Sequence, residues 1–294
     1  MSKPSHIPVL VEEALKLLDP QPSDIIVDAT VGLGGHTKLL AEKLGPTGRV
    51  IGIDQDEDAL HIANDNLKVF GNRVVLVRGN FRHLSDLVES AGYQSVNGIL
   101  FDLGFSSLQI ETGERGFSFL HDAPLDMRMD ATDGETTAGE IVNRASFNEL
   151  VKIFQDYGEE PKAESIARKI LEARQRGKIT TTGQLVEIIG GSHQGRIHPA
   201  TRVFQALRIA VNDELQALTE ALPQAIDLLA PNGRIAVITF HSLEDRIVKN
   251  FFKAKATGGR IQLLAKKAIA PSWQEQKRNP RARSAKIRGA IKIE

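Results

Sequence analysis

The chain has 294 residues, 41% of them hydrophobic, and its formal net charge at pH 7 is zero. This length and composition suit one large globular domain, or a domain with a sizeable insertion. The absence of cysteine excludes thiolate catalysis, disulfides and cysteine-ligated zinc, and it is typical of a reducing compartment.

The sequence shows no membrane or secretory signal. No apolar run approaches the roughly eighteen residues of a membrane span. The first residues also lack the apolar stretch of a secretory signal. We therefore expect a cytoplasmic protein with no membrane partner.

The zero net charge conceals an uneven distribution. Residues 253–294 contain 12 Lys or Arg against two acids, whereas the remainder contains 25 basic and 35 acidic side chains. The two parts therefore carry +10 and −10. Basic segments often contact phosphates, but a solvated basic sheet edge explains the charge equally well.

The first third of the chain alternates between apolar and helical patterns. Buried strands are predicted at 25–29, 50–53, 74–77 and 98–101, where apolar and β-branched residues predominate. Helices are predicted between them at 36–44, 57–70 and 81–91. This β-α alternation predicts a parallel sheet wrapped by helices.

The alternation stops after Phe101. A polar stretch at 103–135 precedes helix candidates at 138–157, 162–176 and 182–189, and a long helix at 199–229 leads back to the sheet. A turn at 231–233 precedes a fifth strand at 234–240, and Ser242 to Asp245 has the form of a capping box for a helix ending near 256. Two last strands, at 261–269 and 286–293, flank a loop at 271–283.

These elements predict an α/β fold with a mainly parallel, seven-stranded sheet and an inserted all-helical domain. We place the sheet core at 1–110 and 206–294. The insertion is then 111–205, comprising a lid loop and a helical substrate-recognition domain.

A glycine-rich turn follows the first strand, in the segment DATVGLGGH at 28–36. Such a turn lets backbone amides approach a ligand. A dinucleotide fingerprint starting at Gly32 and Gly34 requires a third glycine, but Thr37 occupies that position. Asp28 and the turn amides suit the ammonium and carboxylate of S-adenosylmethionine, which we therefore predict as cofactor.

The next strand ends offer further ligand-binding groups. Asp54 ends the second strand, where a carboxylate accepts hydrogen bonds from ribose hydroxyls. Phe81 follows the third strand and suits adenine, and Asp102 ends the fourth. Because open α/β sheets bind ligands at the carboxyl ends of their strands, we expect one pocket there.

With these residues placed, the chain resembles the bacterial ribosomal RNA small-subunit methyltransferase H family, also called MraW-like. The resemblance covers nearly the whole chain, and its ordered motifs are far more specific than a glycine loop. The matching segments are HIPVL at 6–10, DATVGLGGHT at 28–37, DLGFSSLQ at 102–109, GFSF at 116–119, PLDMRM at 124–129, RVFQALR at 202–208, VNDEL at 211–215, ITFHSLEDR at 238–246 and NPRARS at 279–284.

The resemblance implies a class I, Rossmann-like methyltransferase fold and S-adenosylmethionine as cofactor. It also implies methylation of the exocyclic N4 amine of cytidine 1402 in 16S rRNA, part of the decoding centre. The partner would be 16S rRNA within a small ribosomal subunit or its precursor, and a homodimer is compatible with it. No metal is expected. The implied cofactor contacts are Gly34, Gly35, His36, Asp54, Phe81, Asp102 and Gln109.

The missing cysteine also bears on the chemistry, since C5 methylation of pyrimidines normally uses a cysteine nucleophile. Attack by a substrate nitrogen or oxygen is favoured instead. We hypothesise that Asp102, with backbone carbonyls of the turn at 102–105, orients the amine, while Phe105 packs against a flipped base. Phe105 departs from the smaller aliphatic residue expected in the motif. Asp102 serving only the cofactor is the alternative.

Several polar residues have two interpretations. His241 either touches substrate or is structural, and a lone histidine before a capped helix favours the structural role. Arg115, Asp126 and Arg128 either line a lid or tie down a loop. Arg202 and Arg208 meet either RNA phosphates or core carboxylates.

Two other classes of function fit parts of the sequence. A small-molecule N- or O-methyltransferase explains the pocket but leaves the basic segment and the insertion without a role. A non-catalytic RNA- or cofactor-binding protein predicts cofactor affinity without methyl transfer. An assay that offers rRNA and small metabolites together discriminates between the three.

Overall fold

The computed structural model describes residues 8–105, 109, 113, 115–130, 136–190 and 198–293. The chain divides into two compact units. The sheet unit comprises Met1–Ser106 and Leu215–Glu294, and the helical unit comprises Ser107–Glu214. These bounds differ from the expected 111–205 insertion mainly because the helix Pro199–Asn212 packs with the inserted helices. Parts of the expected polar loop, at 106–108, 110–112, 114 and 131–135, lie outside the described residues.

Within the described residues, seven strands form one sheet in the order β3-β2-β1-β4-β5-β7-β6. Strands β1 to β5 run parallel to one another, and β7 lies between β5 and β6, antiparallel to both. The expected mainly parallel, seven-stranded sheet is confirmed. The strands are β1 Ile25–Asp28, β2 Arg49–Asp54, β3 Val74–Arg78, β4 Val96–Asp102, β5 Leu229–Thr239, β6 Ile261–Leu263 and β7 Lys286–Lys292.

The central strands are apolar without interruption because both sheet faces are buried. In β4, Leu100 joins one hydrophobic cluster, whereas Ile99 and Phe101 join the other. Ile26 and Val27 divide in the same way in β1. Each such buried side chain contributes roughly 1.5–3 kcal/mol to folding. The continuous runs read from the sequence are therefore the mark of a doubly covered sheet.

Helices cover both faces of the sheet and form the helical unit. In chain order they are α1 Val11–Leu18, α2 Gly35–Lys43, α3 Glu57–Leu67, α4 Leu84–Ser90, α5 Ala138–Arg144, α6 Phe147–Asp156, α7 Ala163–Arg176, α8 Thr182–Ile189, α9 Pro199–Asn212, α10 Glu214–Leu228, α11 Ser242–Thr257 and α12 Trp273–Arg278. No helix in the described part of the chain is long and apolar enough to cross a membrane.

Two helices predicted as continuous are each broken. The segment 138–157 forms α5 and α6, because Ser146 accepts from the Glu149 amide and Glu149 accepts from the Ser146 amide, which starts a new helix. The segment 199–229 forms α9 and α10, because Asp213 adopts a left-handed conformation with φ 48°. In both places a local backbone preference overrides a continuous apolar pattern.

The sheet unit differs from the sequence predictions in several smaller ways. Helix α1 was not predicted. The residues 231–233 lie inside β5, where Asn232 has φ 63° and the register with β4 shifts, so the expected turn is a bulge. Strand β6 ends at Leu263, and Ile269 makes only an isolated bridge. The expected loop at 271–283 contains α12 and a 3-10 helix at Pro280–Ser284.

The helical unit holds a long loop, 115–130, against its helices. Gly116 has φ 71°, and a Cβ there would lie 2.2 Å from the Pro124 carbonyl oxygen, so only glycine fits. Asn212 ties the loop to α9: its side chain accepts from Met129 N at 2.7 Å and donates to Met127 O at 2.8 Å. Asn212 is buried, so these backbone groups have no access to water.

Replacing Asn212 with alanine should therefore destabilise the helical unit. The change removes the hydrogen bonds of Asn212 with Met129 N and Met127 O, and loss of a buried partner costs about 1–3 kcal/mol. We expect the free energy of opening to fall by about 2–4 kcal/mol, measured by native-state hydrogen exchange of peptides spanning 115–130.

Gln155→Ala is the matched control, since Gln155 is an exposed residue of α6 in the same unit. Its exchange should resemble the wild type. Equal protection of 115–130 in Asn212→Ala and the control would contradict the anchoring role.

Candidate functional site

The candidate site lies where β3, β2, β1 and β4 end side by side. Asp28, Asp54 and Asp102 are the last residues of β1, β2 and β4, and Asp54 is in register with Arg78 at the end of β3. The strand order reverses between β1 and β4, the position where open parallel sheets form a ligand crevice. The structure therefore brings together the strand ends that the sequence singled out.

The glycine turn is shaped by the protein's own packing. Gly34 has φ 87°, and a Cβ there would lie 2.9 Å from Leu67 Cδ1. A Cβ at Gly35 would lie 2.6 Å from Pro8 Cγ. Among the described residues no side chain caps α2, which Gly34 precedes, so the first amides of the helix are available to an anion within that part of the chain.

Both carboxylate oxygens of Asp28 accept hydrogen bonds from residues of this turn and of α2. Its Oδ2 accepts from Thr37 Oγ1 at 2.7 Å, and its Oδ1 accepts from Thr30 N at 3.3 Å. The carboxyl group is buried, and burial raises its pKa against the opposing effects of His36 and Thr37. Asp28 thus fastens the turn to α2, and Thr37, which marked the departure from a dinucleotide motif, is its partner.

Asp54 is held with both oxygens in defined positions. Oδ2 accepts from Gly32 N at 2.8 Å, and Oδ1 accepts from Asp56 N at 3.0 Å. Each oxygen retains further acceptor capacity. Burial raises the pKa of Asp54 to about 6, although the two amides oppose that shift.

His36 connects Asp102 to the N-terminal segment. Its Nε2 lies 2.9 Å from the Val9 carbonyl oxygen, and its Nδ1 lies 3.3 Å from Asp102 Oδ2. Leu10, which follows Val9, has φ 53°, and its backbone amide donates to Glu275 Oε1 of α12 at 2.6 Å. Val9 and Leu10 form what we call the N-terminal hook.

Asp102 has one carboxylate oxygen that no described residue contacts by a hydrogen bond. Its backbone amide donates to Thr30 Oγ1 at 2.7 Å, which fixes the end of β4. Oδ2 faces His36, while the buried Oδ1 has no hydrogen-bond partner among the described residues. A buried acceptor without a donor is unfavourable, so this atom suits a ligand N–H or O–H group.

The aromatic candidates differ in environment. Phe81 is partly buried and meets Phe101 edge to face, with ring centroids 5.7 Å apart. Phe105 is 39% exposed and follows Gly104, which has φ 108°. Gln109 is buried but belongs to the helical unit, so its cofactor contact stays a prediction.

His241 has a structural role. Its Nδ1 accepts from Glu244 N at 3.4 Å, and Glu244 Oε2 accepts from His241 N at 3.3 Å. His241 is therefore the N-cap of α11, and the expected capping box starting at Ser242 is displaced by one residue. The structural interpretation of this histidine is supported.

Contacts within the helical unit bear on the alternative roles given for the arginines of the long loop and of α9. Arg128 forms a bidentate pair with Asp126, donating to both carboxylate oxygens at 2.8 Å, and Arg115 donates to Met129 O at 3.3 Å. Arg208 pairs with Glu214 at 2.7 and 2.9 Å. These contacts favour the loop-tying and core-carboxylate interpretations. Arg202 is partly buried.

Sequence reasoning missed the polar residues that support the aspartates. Thr30 and Thr37 hold Asp102 and Asp28, and Asn80 donates to Gln55 Oε1 at 2.8 Å, joining the loops after β2 and β3. The threonines lie inside the quoted motif, two and nine residues beyond Asp28. Their closeness to Asp28 in the sequence is the signal that could have identified them as its supporting residues.

Comparisons with known proteins agree with this geometry. The MraW methylase family model matches residues 3–293. The chain is 47% identical to a protein named ribosomal RNA small subunit methyltransferase H from Heliobacterium modesticaldum, covering 98% of both chains. It is also 47% identical to a protein of the same name from Heliobacterium mobile, covering 98% of this chain and 99% of that one.

A solved structure shares the fold. A Clostridium thermocellum protein, assigned as an rRNA methylase, superposes with a TM-score of 0.50 at 15% identity, covering 98% of this chain and all of the other. The sheet order and this likeness confirm the expected class I, Rossmann-like fold. From its family match along nearly its whole length, the chain belongs to the MraW methylase family.

Proposed function

We propose that this protein transfers a methyl group from S-adenosylmethionine to the N4 amine of a cytidine in 16S rRNA. The observation that carries the proposal is Asp102: a partly buried carboxylate at the switch point of the sheet, with Oδ2 facing His36 and the buried Oδ1 without a partner among the described residues. Family membership and the names of the relatives support the substrate.

The residues at the strand ends fit the cofactor. Asp54 holds two oxygens that still accept hydrogen bonds, which suits a ribose diol. The uncapped start of α2, at Gly35 and His36, suits the methionine carboxylate, and Phe81 suits adenine. Gln109 remains a proposed contact that rests on the family resemblance. When bound, the cofactor supplies a sulfonium methyl group as electrophile.

Asp102 orients the substrate amine. The lone pair of the N4 amine is delocalised into the cytosine ring, so the amine is a weak nucleophile that depends on positioning. Asp102 Oδ1 accepts one N4 hydrogen and stabilises positive charge that develops on the nitrogen. Phe105, exposed beside it, packs against the flipped base. The absence of cysteine disfavours the covalent route to C5.

The basic C-terminal segment provides a surface for RNA. The only acids in 253–294 are Glu275, which accepts from Leu10 N, and Glu294. Trp273 is 70% exposed on α12, with the Lys277 ammonium 5.3 Å from its ring centroid. Cations for phosphates beside an exposed ring for base stacking suit RNA. Between residues 266 and 286, which we call the basic edge, the exposed cations are Lys266, Lys267, Lys277, Arg278, Arg281, Arg283 and Lys286.

We further propose that the helical unit recognises the rRNA substrate, with the lid loop included in it. A 16S rRNA substrate implies action in the cytoplasm, on a small subunit or its precursor. Homodimer formation stays a prediction, which sedimentation of the purified protein tests.

The activity is tested by offering several acceptors to one enzyme preparation. Purified protein and methyl-labelled S-adenosylmethionine are incubated with undermethylated small subunits, naked 16S rRNA and a mixture of small metabolites. Label in the N4 position of an rRNA cytidine is expected. Label only in metabolites, or binding of cofactor without any transfer, would each reject the proposal.

Cofactor affinity should depend on the ionisation of Asp54. Ribose hydroxyls donate to the ionised carboxylate, so binding lowers its pKa from about 6, and by linkage affinity weakens as pH falls below that value. The dissociation constant of S-adenosylhomocysteine, measured by calorimetry from pH 5 to 8, should rise by up to about tenfold per unit below pH 6.

Asp54→Asn is the control for this pH dependence, because the asparagine side chain cannot ionise. The variant should bind more weakly at pH 8 and show little pH dependence between 5 and 8. An equal pH dependence in the variant and the wild type would assign the titration to another group.

Asp102→Ala should reduce turnover even when cofactor is saturating. Loss of the group that orients the amine lowers kcat by about 100-fold or more. Cofactor affinity is measured separately, and Asp86→Asn, an exposed carboxylate on α4, is the control. Unchanged turnover of the cofactor-saturated Asp102 variant would show that Asp102 serves only the cofactor.

Removing charge from the basic edge should weaken RNA binding and its salt dependence together. For Lys277→Gln/Arg278→Gln we expect the slope of log affinity against log salt to decrease by about 0.7–0.9 per lost phosphate contact. Lys43→Gln/Lys68→Gln removes two exposed cations elsewhere in the sheet unit and should retain the wild-type slope. Equal slopes in both double variants would exclude this surface.

A further inference from the structure

The side chain of His36 has two acceptors as neighbours. A carbonyl oxygen can only accept, so the 2.9 Å contact with Val9 O requires that Nε2 carries hydrogen. The other ring nitrogen, Nδ1, faces Asp102 Oδ2 at 3.3 Å. The ring is only 7% exposed, so water does not substitute for either contact.

The geometry therefore determines the charge on the pair. A neutral ring with hydrogen on Nε2 would direct the Nδ1 lone pair at an ionised carboxylate, and the two would repel. A second hydrogen on Nδ1 converts that contact into a charge-assisted hydrogen bond. The arrangement is thus an imidazolium–carboxylate pair at the end of β4.

The surrounding charges are consistent with an imidazolium. Burial by itself lowers the pKa of His36, but the hydrogen bond and charge of Asp102, and the charge of Asp28, outweigh it and raise the pKa above the ordinary value. Asp28 and Asp102 are the two carboxylates that act on the ring. One cation between the buried Asp28 and the partly buried Asp102 also reduces their mutual repulsion.

We propose that His36 is a positioning residue for methyl transfer: its ring nitrogen Nδ1 engages Asp102 Oδ2 and so directs Oδ1 towards the substrate amine. The inference rests on the proposed function of Asp102. This positioning role differs from the cofactor contact expected for His36. The backbone amide of His36, in the first turn of α2, can make the cofactor contact while the ring contacts Val9 and Asp102.

The protonation state is tested in the cofactor-free protein. Imidazole nitrogen shifts are followed by NMR from pH 5 to 9 in protein labelled at its eight histidines, and the His36 signals are identified by their loss in His36→Gln. We expect His36 to titrate at a higher pH than an ordinary histidine, with both nitrogens protonated below that titration, and the titration to move to lower pH in Asp102→Asn. A ring that titrates no higher than an ordinary histidine would overturn the proposal.

Two substitutions separate positioning from a structural role. The amide nitrogen of asparagine replaces Nδ1, and that of glutamine replaces Nε2. His36→Asn therefore keeps a donor to Asp102, whereas His36→Gln keeps the donor to Val9. Positioning predicts that Asn retains much more turnover than Gln at saturating cofactor, with Gln reduced by up to about 100-fold.

The opposite ranking, or equal turnover in the two variants, would indicate that the Val9 contact and the fold are what matter. Cofactor affinity and thermal midpoint are measured for both variants, so that a loss of folding is recognised. If wild-type protein labels no rRNA cytidine, the proposed function fails, but the NMR titration still tests the His36–Asp102 pair.

Discussion

Placing carboxylates at the ends of buried parallel strands is unfavourable unless donors replace the lost water, and the sheet unit meets this constraint in three ways. Asp28 receives a hydroxyl and an amide and is directed inward. Asp54 receives two amides and keeps capacity for a diol. Asp102 receives one ring nitrogen and keeps one oxygen without a partner among the described residues. In the proposed function, the three aspartates thus serve as an anchor, a cofactor contact and a substrate contact.

The sheet and its functional edge were predictable because both depend on strong, short-range patterns. Apolar runs ending in aspartate define β1, β2 and β4, and parallel strands necessarily bring those ends together. The breaks at Ser146 and Asp213 were not predicted, since each depends on one backbone conformation inside an amphipathic pattern. The His36–Asp102 contact joins residues on different elements, so no local pattern reveals it.

Several residues of the family motifs serve the fold. Gly116 avoids the Pro124 carbonyl, Asn212 satisfies the backbone of the long loop, and Arg208 pairs with Glu214. His241 and Glu244 cap α11. Asp102 differs from these residues in its place at the end of β4, where its buried Oδ1 has no hydrogen-bond partner among the described residues.

The N-terminal hook gives two parts of the sheet unit a common support. The Val9 carbonyl accepts from His36, and the amide of the next residue donates to Glu275 of α12. A series of contacts thus runs from Asp102 to His36, then by hydrogen bonds from His36 to the hook and from the hook to α12, the helix that carries Trp273. Because the same two residues must be ordered for both contacts, the entropy of fixing them is lost only once. Loss of the hook's contact with His36 would weaken its contact with Glu275, and the reverse also holds. The orientation of Asp102 and the packing of α12 are therefore thermodynamically linked.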